Sequence, residues 1–262
     1  MRVVTLLVIT RPLFIVLLWC FFNMAIAKAH NCELIVRFEN YSAQSQQDAQ
    51  LRWHGLDVDF AKALLDDAGC GYRFISIPWG RALKMLELGE IDLMLSVSKT
   101  AQRMRFAYFI GPQRQENIIF ATNAKTPYYV KSIEALFSLP KPVAIQRGAY
   151  YGAKFEARMK QEVDSESQFL YVPDNQHKLN LLRHGRISGF LEEKYNIIYQ
   201  TQHNPDFVEI EIAPLIVNQE PVYIALSKQS VSQSTIEQLK NAFERLEHAG
   251  KFDQILKKYQ LD

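Results

Sequence analysis

Residues 78–103, PWGRALKMLELGEIDLMLSVSKTAQR, decide how the chain is read. Ala82, Met85 and Leu86 recur at helical spacing, Gly89 follows as a stop signal, and residues 91–95 form a short apolar strand. A polar loop comes next, Ser96-Val97-Ser98-Lys99-Thr100, in which Thr100 is placed to cap a helical turn carrying Arg103. Helix, strand and polar loop in this order make one unit of an α/β sheet, whose ligands collect beyond the carboxyl ends of the strands. Hydroxyls and backbone N–H groups ending in a guanidinium suit a small carboxylate, because the planar fork can grip both oxygens. The alternative is that Arg103 is a solvated residue like Arg105 or Lys99, as most arginines are.

Toward the amino terminus, residues 33–38 are a strand with Glu39, Asn40 and Tyr41 at its carboxyl end, and the glutamine-rich run 42–50 is a surface loop. Residues 55–60, GLDVDF, open a helix whose buried stripe is Leu56, Phe60, Ala63 and Leu64. Asp57 and Asp59 stand in its first turn, where the helix dipole favours carboxylates. Paired carboxylates can also do acid/base work, but capping is the simpler explanation. Gly69-Cys70-Gly71 ends the helix and residues 72–77 form the next strand. Cys32 and Cys70 each immediately precede a strand. If those strands are parallel neighbours, both sulfurs lie at one end of the sheet, so a Cys32–Cys70 disulfide is predicted, with two free thiols as the alternative.

Residues 1–29 are read as a cleaved secretory leader. Arg2 and Arg11 are the only charges before Lys28, residues 13–22 are an apolar core too short to span a bilayer, and small-x-small sites follow at 25–27 and 27–29. Cys20 follows Trp19 rather than a small residue, which argues against lipid attachment. The remaining chain of about 230 residues suffices for two modest lobes. Without Arg2 and Arg11 the formal charge falls from +2 to about zero, which gives no reason to expect nucleic acid as a partner. The 48% hydrophobic content describes a globular chain, and export would place Cys32 and Cys70 in an oxidising compartment.

Toward the carboxyl terminus, residues 108–112 read as a turn and 116–122 as a strand leaving the first unit, with a boundary at 123–127. Strands at 142–146, 168–172, 187–191 and 207–212 then alternate with helices at 133–137, 149–161, 175–184 and 192–200. Residues 221–226 form a last strand before two helices, one lined by Ile236, Leu239, Phe243 and Leu246, the other by Phe252, Ile255, Leu256 and Tyr259. This alternation predicts an α/β fold with largely parallel sheets. The histidines, at 30, 54, 177, 184, 203 and 248, are scattered, and neither a metal site nor a cofactor is expected.

Four stretches, GLDVD at 55–59, residues 79–92, TAQR at 100–103 and the ending 250–259, together resemble the periplasmic solute-binding proteins of polar amino acid ABC transporters. The resemblance spans nearly the whole mature chain. It implies a two-lobed periplasmic binding protein fold with two hinge-strand crossovers, near residues 120–123 and 217–222. Lobe one would be 30–121 with 221–262, and lobe two 122–220. It further implies that Arg103 grips a ligand's α-carboxylate with help from Ser96 and Ser98, and that Tyr41 and Trp79 flank the ligand. Glu192, or its neighbour Glu193, would take the ammonium. The family usually has Asp at that position, and a hydroxyl residue where Ala149 and Tyr150 stand, so the Tyr150 phenol replaces that hydroxyl or packs. Trp79 could equally serve lobe packing, and Arg81 a salt bridge within lobe one.

The function expected is capture of an amino acid or similar small zwitterion by a monomer in the periplasm, and its delivery to an ABC transporter permease. Two alternatives accompany it. One is an enzyme on the same scaffold, resembling cyclohexadienyl dehydratase, with Glu192 as general acid. The other is a soluble ligand-sensing partner of a membrane receptor.

Overall fold

The computed structural model describes residues 32–161, 165–207 and 209–260. The expected leader, residues 1–29, lies outside the described residues. Strand β1 (Glu33–Phe38) is followed by the hairpin of β2 (Gln46–Gln47) and β3 (Trp53–His54), helix α1 (Leu56–Ala68) and strand β4 (Gly71–Ser76). β1 and β4 pair in parallel with Glu33 opposite Gly71. That register sets Cys32 beside Cys70, and the two form the predicted disulfide with their Cα atoms 4.7 Å apart. In the chain-entropy picture, closing its 38-residue loop stabilises the fold by about 4 kcal/mol.

Helix α2 (Trp79–Leu88) starts after Pro78 and stops at Gly89, whose φ of 76° lets Gly89 and Glu90 donate to the Leu86 and Met85 carbonyls. The strand that follows, β5 (Leu93–Ser98), begins and ends later than the sequence pattern placed it. Asp92 holds the entry, its carboxylate accepting the Ile35 N–H at 2.7 Å and the Ser230 hydroxyl. Ser96 and Ser98 therefore belong to the strand rather than to a loop.

Two long strands organise the rest. β6 (Ala107–Asn123) and β10 (Ile210–Ser227) run antiparallel from Ser227 opposite Ala107 to Ile210 opposite Asn123. The turn expected at 108–112 lies inside β6, because β10 offers Leu226, Ala225 and Ile224 as partners for Tyr108, Phe109 and Ile110. Gly111, Pro112 and Gln113 bulge opposite the single residue Tyr223, so these punctuating residues mark a bulge instead of a turn.

Between the long strands lie α3 (Ile133–Leu136), β7 (Val143–Gln146), α4 (Ala153–Gln161), α5 (Ser165–Gln168), β8 (Phe169–Val172), α6 (Asn175–Arg183), β9 (Gly189–Glu193) and α7 (Lys194–His203). Helices α8 (Gln233–His248) and α9 (Lys251–Lys258) follow β10. The main sheet has the order β4-β1-β5-β10-β6-β9-β7-β8. β5 flanks β10 at Val222–Leu226, and β9 flanks β6 at Ile118–Thr122. Between these contacts, residues 115–117 pair only with 219–221, so the sheet narrows there to a two-strand ribbon. The expected hinge at 217–222 overlaps this ribbon, whereas residues 120–123 lie beyond it, along β9.

Buried apolar residues gather in four clusters, two on each side of the ribbon. α1, α8 and α9 cover one face of β1 and β5, with the Phe252 ring 4.8 Å from Phe60 and 4.7 Å from Phe243. α2 covers the other face through Ala82 and Leu86. Each fully buried side chain of this size contributes about 2 kcal/mol. Arg245 pairs with Asp67, and Lys258 with Asp59, so the carboxyl-terminal helices return to the first half. The result is a two-lobed α/β architecture. Among the described residues no helix is long and apolar enough to cross a membrane.

Candidate functional site

A cavity lies between the halves, with about 80 Å³ for the centres of water-sized molecules. It opens at the carboxyl ends of β1 and β5, where chain geometry puts the ligands of such sheets. Of the residues singled out from the sequence, Tyr41, Trp79, Ser96, Ser98, Tyr150 and Glu192 line it. Arg103 does not. It borders an adjoining outer groove, which it shares with Gly148 and Tyr150.

The bend of β5 aims its hydroxyls at the cavity. Leu95 and Ser96 together oppose Ile224, and Ser96 has a left-handed φ of 54°. A non-glycine residue in that region costs about 1–3 kcal/mol and persists only where its surroundings hold it. Here the Ser96 N–H donates to Gln113 Oε1 at 2.9 Å, and its hydroxyl donates to Asp57 at 2.9 Å. Gln113 Nε2 also donates to Asp57, at 2.7 Å. Asp57 thus does more than sit at a helix start: buried under the cavity, it orders the two groups that fix the bend. Burial raises its pKa, against the opposing pull of Arg114, Ser96 and Gln113.

Deeper in, Arg114 forms a two-pronged pair with Glu193, the side chains only 3% exposed on either partner. Burial disfavours the guanidinium, but Glu193, Asp57 and Glu116 outweigh it and raise the Arg114 pKa. Gln44 donates to the other side of Glu193. The run 42–50 is therefore not wholly a surface loop, since Ser42, Ala43, Gln44 and Ser45 are buried and carry this contact.

Glu192 and Glu193 both reach the cavity, because β9 ends there and α7 begins. Glu192 Oε2 accepts from Lys178 at 2.7 Å. Its Oε1 accepts from Tyr41, from the Glu193 N–H at 3.0 Å and from Asn196 at 3.1 Å. Burial works against ionisation of Glu192, yet Lys178, Tyr41 and Asn196 hold its carboxyl below the usual range. Both oxygens of the residue expected to meet an ammonium are thus engaged by the protein.

At the outer end, Thr100 caps the turn as expected, its hydroxyl accepting the Arg103 N–H at 3.2 Å. The side chain of Arg103 is buried while Arg105 and Lys99 are exposed, so it is not the solvated residue of the alternative reading. Its Nη1 donates to the Ser98 carbonyl and its Nη2 to the Gly148 carbonyl, each at 2.9 Å. Trp79 Nε1 donates to the same Gly148 oxygen at 3.1 Å. The indole is flanked by the guanidiniums of Arg37 and Arg103, at 5.2 and 5.9 Å from its ring centre. This approach is close enough to need glycine: a Cβ on Gly148, where φ is 79°, would lie 3.3 Å from the Gly80 Cα. Arg81 is exposed and does not line the cavity.

Sequence reasoning passed over Arg37, Glu39, Arg114, Glu116 and Lys178 as cavity residues, named Glu193 only as the alternative to Glu192, and took Asp57 for a cap. Arg114 and Glu116 alternate on β6 and so share a face; that spacing was the available signal. Glu116 stands apart from the others. Among the described residues its carboxylate has no hydrogen-bond or ion-pair partner. Burial, Glu193 and Glu192, opposed by Arg114 and Arg103, push its pKa up to about 8.

Known proteins share the fold that carries this site. An ancestral arginine-binding protein bound to arginine superposes with a TM-score of 0.74 at 21% identity, over 87% of this chain and 97% of that one. The amino acid ABC transporter substrate-binding protein AbpA from Streptococcus pneumoniae, bound to L-arginine, gives 0.72 at 20% identity, over 87% and 94%. An ancestral amino acid-binding protein described as a precursor of cyclohexadienyl dehydratase gives 0.72 at 19%, over 87% and 95%. These likenesses establish the two-lobed periplasmic binding protein fold. Comparison with curated proteins gives no match. The profile of the bacterial extracellular solute-binding proteins, family 3, matches residues 34–262, and the chain belongs to that family.

Proposed function

We propose that the protein captures an amino acid, or a similar small zwitterion, between its halves in the periplasm and presents the closed form to an ABC transporter permease. The observation that carries this reading is a cavity lined by charged and aromatic side chains from both halves and spanned by the two-strand ribbon. Contacts from both sides favour the closed arrangement, which a membrane partner can read. The lobes are 30–121 with 221–262, and 122–220; the protein acts as a monomer after loss of residues 1–29. In this reading Arg103 exchanges the Gly148 carbonyl for the ligand's carboxylate. Ser96 and Ser98 border that end, Tyr41 and Trp79 flank the ligand, and Tyr150 closes over it.

Thermal-shift screening tests the proposal. One or a few amino acids should raise the melting temperature, since a ligand at 100 times its Kd stabilises by about 2.7 kcal/mol. Arg103→Ala should remove the shift; full affinity in that variant would take Arg103 out of the site. A panel that leaves the melting temperature unmoved would defeat the binding reading itself.

The enzymatic alternative has one observation in its favour, a carboxyl group in the cavity whose pKa is raised to about 8, as a general acid requires. That group is Glu116 rather than Glu192, whose carboxyl is held ionised by Lys178. Incubation with prephenate followed by product analysis separates the two readings.

A further inference from the structure

We propose that Glu116, not Glu192, receives the cationic group of the ligand, and that the site accordingly selects amino acids of net positive charge. The inference rests on the cleft being an amino-acid site and names the class of amino acid it takes.

The first observation is how the charges of the cavity are used. Lys178 is bound to Glu192 and to the Leu191 carbonyl, the latter at 2.9 Å. Arg114 is bound to Glu193, to the Ser96 hydroxyl at 3.2 Å and to the Gln115 carbonyl at 3.1 Å. Arg37 is bound to Glu39 and to the Ile77 carbonyl, at 2.7 Å. An ammonium offered to Glu192 would have to displace Lys178 or Tyr41 from a carboxylate that is 2% exposed. Glu116 asks for no displacement, because it borders the same cavity and its oxygens accept from no described residue.

The second observation is the balance of charge. Five carboxylates and three cationic side chains line the cavity. Arg103, on the adjoining groove, brings the cations to four, so the fifth carboxylate, the uncommitted Glu116, is the one whose ionisation lacks a counter-charge. A zwitterion leaves Glu116 without a counter-charge, a dicarboxylate adds further negative charge, and a ligand of charge +1 supplies what ionised Glu116 lacks. A metal ion is a poor occupant for a single uncommitted carboxylate, since hard cations gather six or more oxygens. An organic ammonium or guanidinium is satisfied by one carboxylate and a few neutral acceptors, and the Ser98 hydroxyl and Tyr150 phenol border the same space.

The reluctance of Glu116 to ionise fits this role. Burial beside Glu193 and Glu192, with Arg114 and Arg103 opposing, leaves it largely protonated at neutral pH while no cationic ligand is bound. An incoming cation supplies the missing counter-charge, so binding expels the proton.

The test is calorimetric binding of L-arginine, L-lysine, L-glutamine and L-glutamate to the mature protein and to its Glu116→Gln and Glu116→Asp variants. Arginine or lysine should bind more tightly than glutamine and glutamate. Glu116→Gln should weaken that binding roughly 10- to 100-fold, the range of a lost charged hydrogen bond, and Glu116→Asp should recover part of it. Titration of the unaltered protein in two buffers of different ionisation heat should show proton release on binding the cationic ligand. Tighter binding of glutamine or glutamate would overturn the inference while leaving the amino-acid site standing. Unchanged affinity in Glu116→Gln, or binding without proton release, would overturn the role of Glu116. Absence of binding by all four would remove the amino-acid reading, and this inference with it.

Discussion

Arg114 and Arg103 stand at the inner and outer ends of one cleft, and each is 7% exposed. Their surroundings treat them in opposite ways. Arg114 faces a carboxylate on two prongs, and its charge is favoured beyond that of a free guanidinium. Arg103 faces two neutral carbonyls, and desolvation wins over the distant Glu116, Glu156 and Tyr150, bringing its pKa down to about 10. Burial alone therefore does not tell a structural arginine from one held ready for a ligand; the partner does. A buried cation whose counter-charge is missing is the one that an incoming anion can satisfy.

The largest effect should come from breaking the inner pair. Glu193→Gln leaves the Arg114 guanidinium buried without its anion, and one-sided loss of a buried pair costs about 3–5 kcal/mol. Urea unfolding should show a fall of that size in the unfolding free energy extrapolated to water. Adding Arg114→Met to the same chain should recover much of it, because removing both charges also removes their desolvation cost. A Glu193→Gln protein as stable as its parent would mean that the two ends of the cleft do not differ.

A smaller effect should follow from Glu116, whose ionisation both arginines favour. Its pKa in the folded state, about 8, is above its unfolded value near 4.5. The protonated group thus contributes stability that is complete below pH about 4.5 and is lost as pH rises toward 8. Across that window each pH unit costs up to about 1.4 kcal/mol. Glu116→Gln should flatten this slope, and at pH 8 should stabilise the empty protein by about 2–4 kcal/mol. The groups facing Glu116 are Glu193, Glu192, Arg114 and Arg103, and a parallel change at all pH values would assign the slope to one of them.

The contrast between the two ends also explains what could be read from the chain and what could not. Residues 78–103 carry local signals: an apolar stripe, Gly89 where φ must be positive, and Thr100 three residues before Arg103. Each acts over a few residues, and each appears in the fold. The disulfide was legible for a similar reason, since two cysteines before two strands need only one parallel register to meet. The inner site is built from partners far apart in sequence, 79 residues between Arg114 and Glu193 and 149 between Gln44 and Glu193. Nothing local marks Gln44 as buried in a polar run, or says that Gly111-Pro112 bulges within a strand instead of turning. Asp57 was visible at a helix start, but its bonds to Ser96 and Gln113 depend on how β5 and β6 lie beside it. Lys178 follows Asp174, the cap of α6, and reads as a solvated helix residue until β9 is known to pass beneath it.

The smallest effect should come from removing the outer arginine in the absence of ligand. Arg103 makes two hydrogen bonds to carbonyls, and bonds from a charged donor contribute about 1.5–3 kcal/mol each. Against this stands the desolvation that lowers its pKa from 12.5 to about 10, at about 1.4 kcal/mol for each unit. The two contributions nearly cancel, and Trp79 continues to donate to Gly148 without the guanidinium. Arg103→Ala should therefore change the stability of the empty protein by no more than about 1 kcal/mol, while removing the ligand-induced thermal shift. A loss of stability as large as that of Glu193→Gln would place Arg103 among the structural charges, and the carboxylate of the ligand would then have to be sought elsewhere in the cleft.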